Sequence, residues 1–168
     1  MNFLRITNES QEEFEFIAQT LFNEYAIQTY DSLFRLIEIE FYWNSESHVD
    51  NSTYARKYVN PKAGDWFFHY SGVDIALRNE DTGGYGGILI RSIFDVKNQK
   101  IYKGPQVCVM KMFSETNAFS ESIRTMIIEH KFDVHPILST ARIGLGNNAK
   151  SNGADKFSYR FSINPIEK

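Results

Sequence analysis

A chain of 168 residues, 42% hydrophobic and 15% aromatic, is long enough to form one folded domain, over residues 1–168, with a core of its own. Four Pro, ten Gly and one Cys exclude collagen-like, low-complexity and disulfide-rich proteins. The net charge of −3 combines −8 over residues 1–50 with +5 over residues 51–168, so the charge neither indicates nor excludes a nucleic-acid partner.

The first predicted element is an amphipathic helix over residues 11–24. Ser10 and Glu13 form a capping box, in which a hydroxyl and a carboxylate each satisfy a free backbone amide. Apolar side chains then recur at helical spacing, at Phe14, Ile17, Ala18, Leu21, Phe22 and Tyr25.

A strand is predicted over residues 33–43, where the apolar pattern changes to alternation. One face carries Arg35, Ile37, Ile39, Phe41 and Trp43, and the other carries Leu36, Glu38, Glu40 and Tyr42. The polar residues 44–64 that follow are predicted to form an irregular loop.

The rest of the chain reads mostly as short strands separated by turns. Strands are predicted over residues 65–70, 73–78, 87–93, 137–145 and 156–163, with a break near Gly72 and a turn over residues 79–84. Gly104-Pro105 can open a helix, but residues 107–112 also fit a strand; residues 114–131 are expected to be helical in part. The fold class is therefore α+β, with a curved, mostly antiparallel sheet and a few helices.

Glu40 is the first candidate for chemistry, because it lies inside an apolar strand. Glu38, two positions earlier on the same strand face, places a second carboxylate roughly 6–7 Å away. In a partly dry cleft, burial and the neighbouring charge raise a carboxyl pKa, as acid–base catalysis requires. The alternative is that this face is the solvated side of an edge strand.

Two further groups of polar residues have both functional and structural interpretations. His48, Asp50, His69 and Asp74 are suitable metal ligands, but their spacing matches no zinc signature and also suits solvated loops. Arg91 is a lone cation in the apolar strand 87–93, so it must pair with a carboxylate, reach the sheet edge or face a cleft.

The sequence also bears on the cellular compartment. Cys108 is the lone cysteine, which excludes an internal disulfide, favours a reducing compartment and suits a small buried side chain. No secretion signal and no run of about 18–20 apolar residues is visible. We therefore expect a cytoplasmic protein with no membrane association.

Taken in order, several short segments resemble the alkyladenine (3-methyladenine) DNA glycosylase family. The early helix (Ala-Gln-Thr-Leu-Phe, 18–22) and the strand Ile-Glu-Ile-Glu-Phe-Tyr (37–42) come first, and His48 follows. The others are residues 64–72, Gly-Ile-Leu-Ile-Arg-Ser-Ile (87–93), Gly-Pro (104–105), Ala-Arg-Ile-Gly-Leu-Gly (141–146) and Tyr-Arg-Phe (159–161). The shared order spans nearly the whole chain, and it implies the glycosylase fold.

The resemblance also implies an activity: a damaged base is flipped into a pocket and its N-glycosidic bond is cut by an activated water. By position, Glu40 corresponds to the general base and Arg91 to the residue that holds the water or the nearby phosphate. Tyr42 and His48 correspond to groups that stack on or hydrogen-bond the base, and Phe68 to the opposing aromatic. No metal or other cofactor is implied, since a positioned carboxylate suffices for an alkylated leaving group.

The neighbouring residues complete the expected substrate-binding set and also depart from the family pattern. His69, Tyr70 and Arg78 are included in that set. Ser71 stands where the family has a wedge Tyr, and Arg78 where it has an Asn that discriminates against guanine. The Gly-Pro segment continues with Gln106-Val107 and lacks the family's Lys. Without a wide wedge the gap left by a flipped base stays unfilled, so these differences favour a substrate other than duplex DNA.

Four functions remain open from the sequence. The first is a monomeric base-excision glycosylase acting on DNA that contains damaged purines, with no obligatory protein partner. The second is a divergent relative that acts on, or binds, a small modified nucleoside without duplex DNA. The third is a non-catalytic module that recognises a damaged base or small ligand, and the fourth is a metal-dependent hydrolase.

Overall fold

The structure is a computed structural model, and it describes residues 2–57, 62–115, 119 and 125–165. Its helices are α1 (Gln11–Glu24), α2 (Tyr54–Lys57), α3 (Pro105–Met112) and α4 (Asn147–Lys150). Three 3₁₀ turns cover Asn2–Leu4, Asn51–Thr53 and Ala154–Lys156. The strands are β1 (Tyr25–Gln28), β2 (Leu33–Asn44), β3 (Trp66–His69), β4 (Gly72–Asn79), β5 (Gly84–Asp95), β6 (Lys100–Lys103), β7 (Met126–Glu129), β8 (Leu138–Thr140) and β9 (Arg160–Ser162).

These strands form one curled antiparallel sheet, so the predicted α+β class is confirmed. In the part of the chain that the structure describes, the main order is β3-β4-β5-β2-β1-β7, with β6 on β5 and with β9 pairing both β2 and β8. The long strands β2 and β5 lie at the centre, and their pairing shifts register between Leu36 and Ile39. Such an irregularity bends a strand and increases its twist, which helps the sheet to curl.

The helix α1 begins and ends as the sequence predicts. The Ser10 side chain accepts a hydrogen bond from the Glu13 amide and so caps the first turn. The apolar stripe of α1 is buried against β2, where Phe14 stacks on Phe41 with ring centroids 5.1 Å apart. The core is therefore concentrated between α1 and one face of the sheet.

The opposite face of the sheet carries the polar residues of β2. Because successive side chains of a strand point to opposite faces, Glu40 and Tyr42 lie on the side away from Phe41 and α1. In the antiparallel register, Leu89 of β5 lies opposite both Glu40 of β2 and Asp74 of β4. Two carboxylates thus flank one leucine on the same row of the sheet.

Several predicted boundaries are wrong at the carboxyl-terminal end. Only Leu138–Thr140 is a strand within residues 137–145, because Gly144 has a φ of +72° and cannot continue an extended strand. Only Arg160–Ser162 is a strand within residues 156–163, because the Lys156 and Phe157 amides donate to the preceding 3₁₀ turn.

The structure also decides between alternatives left open for shorter elements and adds others. Residues 107–112 belong to a helix, α3, which Pro105 opens at its first position. The predicted loop 44–64 contains a 3₁₀ turn and α2, and the short strands β1 and β6 are additional to the predicted ones. Within residues 114–131 the structure has the strand β7, while residues 116–118 and 120–124 lie outside the described residues.

The helices that the structure describes include none long and apolar enough to cross a membrane.

Gly86 lets β5 lie close to β2, and we expect Gly86→Ala to lower the free energy of unfolding by about 1–3 kcal/mol. A Cβ at this position would overlap the Tyr42 carbonyl oxygen and press on the buried Trp43 ring. Gly146→Ala is the matched control, because a Cβ there meets no atom within 4 Å and the φ of −79° suits alanine. Urea unfolding followed by tryptophan fluorescence measures both variants; equal stabilities would contradict the proposed close approach.

Candidate functional site

A cleft of about 230 Å³ lies over the polar face of the sheet. The sheet contributes Tyr42 and Leu89 to its lining. The helix α2 forms one side of the cleft, and the turn between β3 and β4 forms another. The remaining wall is the segment 144–149, which follows Arg142 along the chain. The cleft therefore depends on segments that are far apart in the sequence.

Glu40 is completely buried beside this cleft, and its carboxylate accepts hydrogen bonds from side chains and from the backbone. Its Oε2 accepts hydrogen bonds from the Tyr42 hydroxyl (3.0 Å) and from Arg91 Nη1 (3.1 Å). Its Oε1 accepts from the Ile143 backbone amide (3.0 Å). These donors replace the hydrogen bonds to water that a buried carboxylate loses.

Arg91 links the two carboxylates that the sequence predicts on this strand face. Its Nη1 contacts Glu40 and its Nε donates to Glu38 Oε1 (3.2 Å), where Arg160 Nε also donates (2.8 Å). Burial alone raises the pKa of Glu38, but hydrogen bonds from Ser92 and Arg160 and the charge of Arg91 bring it below its usual value. Arg91 is therefore paired, and the solvated interpretation of this face does not hold for Glu40.

Two guanidinium groups lie against the ring of Tyr42. The Cζ atoms of Arg56 and Arg142 are 3.9 Å and 4.7 Å from the centre of its ring, within the range of cation–π attraction. Burial and the negative charge of Glu40 raise the pKa of Tyr42, so its hydroxyl stays protonated and donates to Glu40. The two cations compete with any ligand for contact with the ring.

A second buried carboxylate, Asp74, holds two residues that line the cleft. Its Oδ2 accepts from Arg56 Nε (2.5 Å), and its Oδ1 lies 2.9 Å from His69 Nε2. His69 Nδ1 accepts the Ser71 amide (3.3 Å), which assigns the proton of a neutral imidazole to Nε2. A Cβ at Gly87 would overlap the Asp74 carboxylate, so glycine at this position makes room for the group.

The pH dependence of stability provides a test of the Asp74 ion pair. Burial alone raises the pKa of Asp74, but the charge of Arg56 and the hydrogen bond from His69 bring it below the ordinary value of 3.8. A depressed folded-state pKa contributes stability that is complete above the unfolded pKa and is lost as pH falls through the folded pKa.

We therefore expect wild type and Asp74→Asn to differ most in unfolding free energy at neutral pH. Below about pH 3.8 the difference should shrink as the wild-type carboxyl becomes protonated. Urea titrations at pH 7, 5 and 3 measure it, and Asp31→Asn, at an exposed aspartate, serves as the control. A difference that stays constant from pH 7 to 3 would argue against the ion pair.

The structure brings together only part of the predicted substrate-binding set. Tyr42, His69 and Tyr70 line the cleft; Glu40 contacts Tyr42, and Arg91 contacts Glu40. These residues come from β2, β5 and the β3–β4 hairpin, as the strand pattern predicts.

Three other predicted residues lie outside the lining. His48 packs against Phe157 and Tyr159, with ring centroids 5.2 Å and 5.7 Å away, and burial lowers its pKa. Phe68 packs against Phe113 at 4.7 Å. Arg78 Nη2 donates to the backbone oxygen of Arg56 at 3.4 Å, behind the cleft wall.

The four residues considered as metal ligands do not come together as one group. Asp50 pairs with Arg142 at 2.7 Å, and Asp74 pairs with Arg56 and His69. Residues 2–57, 62–115, 119 and 125–165 contain no group of three or more His, Cys, Asp or Glu side chains arranged to hold a metal ion.

Three residues of the site escaped the sequence reasoning. Tyr54 lies in a segment predicted as irregular loop, and its neighbour Arg56 is buried in a short helix there. Arg142 is buried too, with its guanidinium bonded to the Phe41 and Ala154 carbonyls. An arginine in an otherwise apolar context, the signal used for Arg91, was also present at Arg142 in Ala-Arg-Ile-Gly.

Part of the chain is similar to a viral protein. No protein-family model matches the chain. An uncharacterized protein of Acanthamoeba polyphaga mimivirus is 31% identical over an alignment that covers 63% of this chain. That alignment covers 59% of the viral protein, so the chain matches little more than half the length of this relative.

Proposed function

We propose that this chain hydrolyses the N-glycosidic bond of a modified purine whose base occupies the cleft. The observation that carries the proposal is Glu40, a carboxylate with no exposed surface beside the cleft, held by Arg91 and Tyr42. Buried carboxylates are costly and are concentrated where proton transfer is needed. The resemblance to the alkyladenine DNA glycosylases supports the same role for Glu40.

In the proposed reaction, a water molecule attacks the anomeric carbon of the sugar. Its oxygen forms the new bond, its proton passes to Glu40, and the electrons of the N-glycosidic bond leave with the base. An alkylated purine is already a good leaving group, so positioning the water supplies much of the catalysis. Arg91 and the Tyr42 hydroxyl hold the Glu40 carboxylate in place to receive that proton.

The reaction requires water to reach Glu40. The Ile143 amide occupies Oε1, and Ile143 itself is 47% exposed. Gly144, next in the chain, has a left-handed φ of +72° and begins the segment that walls the cleft. In the catalytic state, a water replaces the Ile143 amide at Oε1 when this segment moves away.

DNA containing a damaged purine is the leading substrate. The acidic α1 packs on the sheet face opposite the cleft, while α2 and α4, which border the cleft, end at the exposed cations Lys57 and Lys150. This separation of charge suits a polyanion approaching the cleft. In keeping with the sequence expectation, the enzyme would act as a cytoplasmic monomer in base-excision repair without a cofactor.

A free modified nucleoside is the second candidate substrate. Ser71, at the turn that borders the cleft, is too small to fill the gap that a flipped base leaves in a duplex. The net charge of −3 is compatible with such a ligand, which does not depend on phosphate contacts along a polyanion.

The test is release of base from hypoxanthine, 1,N6-ethenoadenine or 3-methyladenine, each presented in a duplex, in a single strand and as a nucleoside. The Glu40→Gln protein, purified in parallel, measures contaminating activity. Release by wild type above this background is the expected result, and the form of substrate cleaved fastest identifies the natural class. No release from any form would overturn the proposal.

A further inference from the structure

Two of the aromatic rings expected to hold the base are already packed against other side chains. Tyr42 lies under the guanidinium groups of Arg56 and Arg142. Phe68 lies outside the lining and packs against Phe113. A planar ligand therefore needs other partners for its faces.

Two tyrosines at the rim of the cleft have exposed rings. Tyr54, at the start of α2, is 50% exposed, and Tyr70, in the turn between β3 and β4, is 83% exposed. Both line the cleft, and a contact between the two side chains raises the pKa of Tyr54 and lowers that of Tyr70. The Tyr70 carbonyl also accepts a hydrogen bond from Gln106 in α3, which holds the turn in place.

Two exposed tyrosines at the rim of one cleft are more than a solvated surface requires. Exposed aromatic rings contribute little to the fold, yet here two of them face one cleft from elements 16 residues apart in the chain. The contact between the two side chains links α2 to the β3–β4 turn, and both rings remain largely exposed. Tyrosine offers a large, rigid surface at low entropic cost, which suits ligand recognition.

We propose that Tyr54 and Tyr70 are the base-stacking residues of the cleft and that its ligand is the planar base of a modified purine nucleoside. This inference rests on the proposed function and deepens it. The base stacks on the exposed faces of these rings, and Tyr42 stays bound to Glu40 as a positioning residue. Stacking on an aromatic ring tolerates different bases, so the tyrosines supply affinity more than selectivity among purines.

The experiment uses 1,N6-ethenoadenosine, a fluorescent nucleoside, titrated with the full 168-residue chain. Tyr70→Ala and Tyr54→Ala are each expected to weaken binding by roughly 5- to 100-fold, the loss of one stacked base. Tyr70→Phe keeps the ring and should bind within about three-fold of wild type. Tyr30→Ala removes a tyrosine of similar exposure (68%) that does not line the cleft, and it should bind like wild type.

The base-release assay, run in parallel, separates the stacking role of the two tyrosines from the hydrolysis proposed for Glu40. Binding by Tyr70→Ala and Tyr54→Ala within two-fold of wild type would overturn the stacking role while leaving hydrolysis by Glu40 intact. Ring-dependent binding without base release would support the stacking role and overturn the proposed reaction. Failure of the wild-type protein to bind the nucleoside would overturn the inference directly.

Discussion

Glu40→Gln is expected to slow the release of a modified purine by roughly 10²–10⁴-fold, the usual contribution of a positioned general base. The amide keeps the size of the side chain but does not accept the proton of the attacking water. Arg91 remains paired through Glu38, 3.2 Å away, so the substitution does not leave a buried cation alone. Binding of 1,N6-ethenoadenosine should change by no more than a few fold, because the rim tyrosines are intact.

The matched control is Glu46→Gln, at an exposed glutamate in the loop after β2. It should retain the wild-type rate. In the Glu40→Gln protein, the side-chain NH2 group is a donor and must point at another donor: the Ile143 amide, or the Tyr42 hydroxyl and Arg91. We therefore also expect the free energy of unfolding to fall by about 1–3 kcal/mol. Assays are therefore run well below the melting temperature, and a Glu40→Gln rate within a few fold of wild type would exclude the general-base role.

Arg142→Met is expected to destabilise the folded chain by about 3–5 kcal/mol, the cost of breaking a buried ion pair by removing one partner. The Arg142 guanidinium is fully buried with Asp50 at 2.7 Å, and it also donates to the Phe41 and Ala154 carbonyls. Methionine preserves much of the volume but leaves the Asp50 carboxylate without its charge partner. It also leaves two buried backbone oxygens without this donor.

Arg5→Met is the control, because Arg5 pairs with Asp81 where both side chains are largely exposed, at 49% and 77%. Exposed pairs contribute about 1 kcal/mol or less. Chemical unfolding of both variants at pH 7 should therefore separate them by several kcal/mol. Similar losses for the two variants would mean that the Arg142 pair contributes no more than a surface contact.

The elements predicted correctly are those whose signals are local. The cap at Ser10 and the apolar stripe that follows define α1, and alternation over residues 33–43 matches β2 to within one residue. The hairpin β3–β4 follows from the break at Gly72. The late strands were predicted too long, because the amides at their ends do not pair with a neighbouring strand. The Ile143 amide donates to the Glu40 carboxylate, and the Lys156 and Phe157 amides donate within a local turn.

The same distinction applies to the candidate site. A carboxylate and a cation inside apolar strands identified Glu40 and Arg91, and a buried charge needs a partner wherever it lies. Which partner each charge takes depends on register, since Arg91 reaches both Glu38 and Glu40 only across the β2–β5 pair. His48, which the resemblance assigned to the base, packs instead with Phe157 and Tyr159 away from the cleft lining.

The sequence by itself determined the α+β class, the first helix, the central strand and the presence of charged residues that require partners. These properties follow from periodicity, capping and the cost of burying a charge, which act over a few residues. Only the tertiary structure decided that Tyr54 and Tyr70 share the rim of a cleft and that Arg56 and Arg142 lie against Tyr42. Those contacts join segments up to 100 residues apart. Their geometry depends on which strands pair and how the loops fold back, and periodicity over a few residues does not predict either.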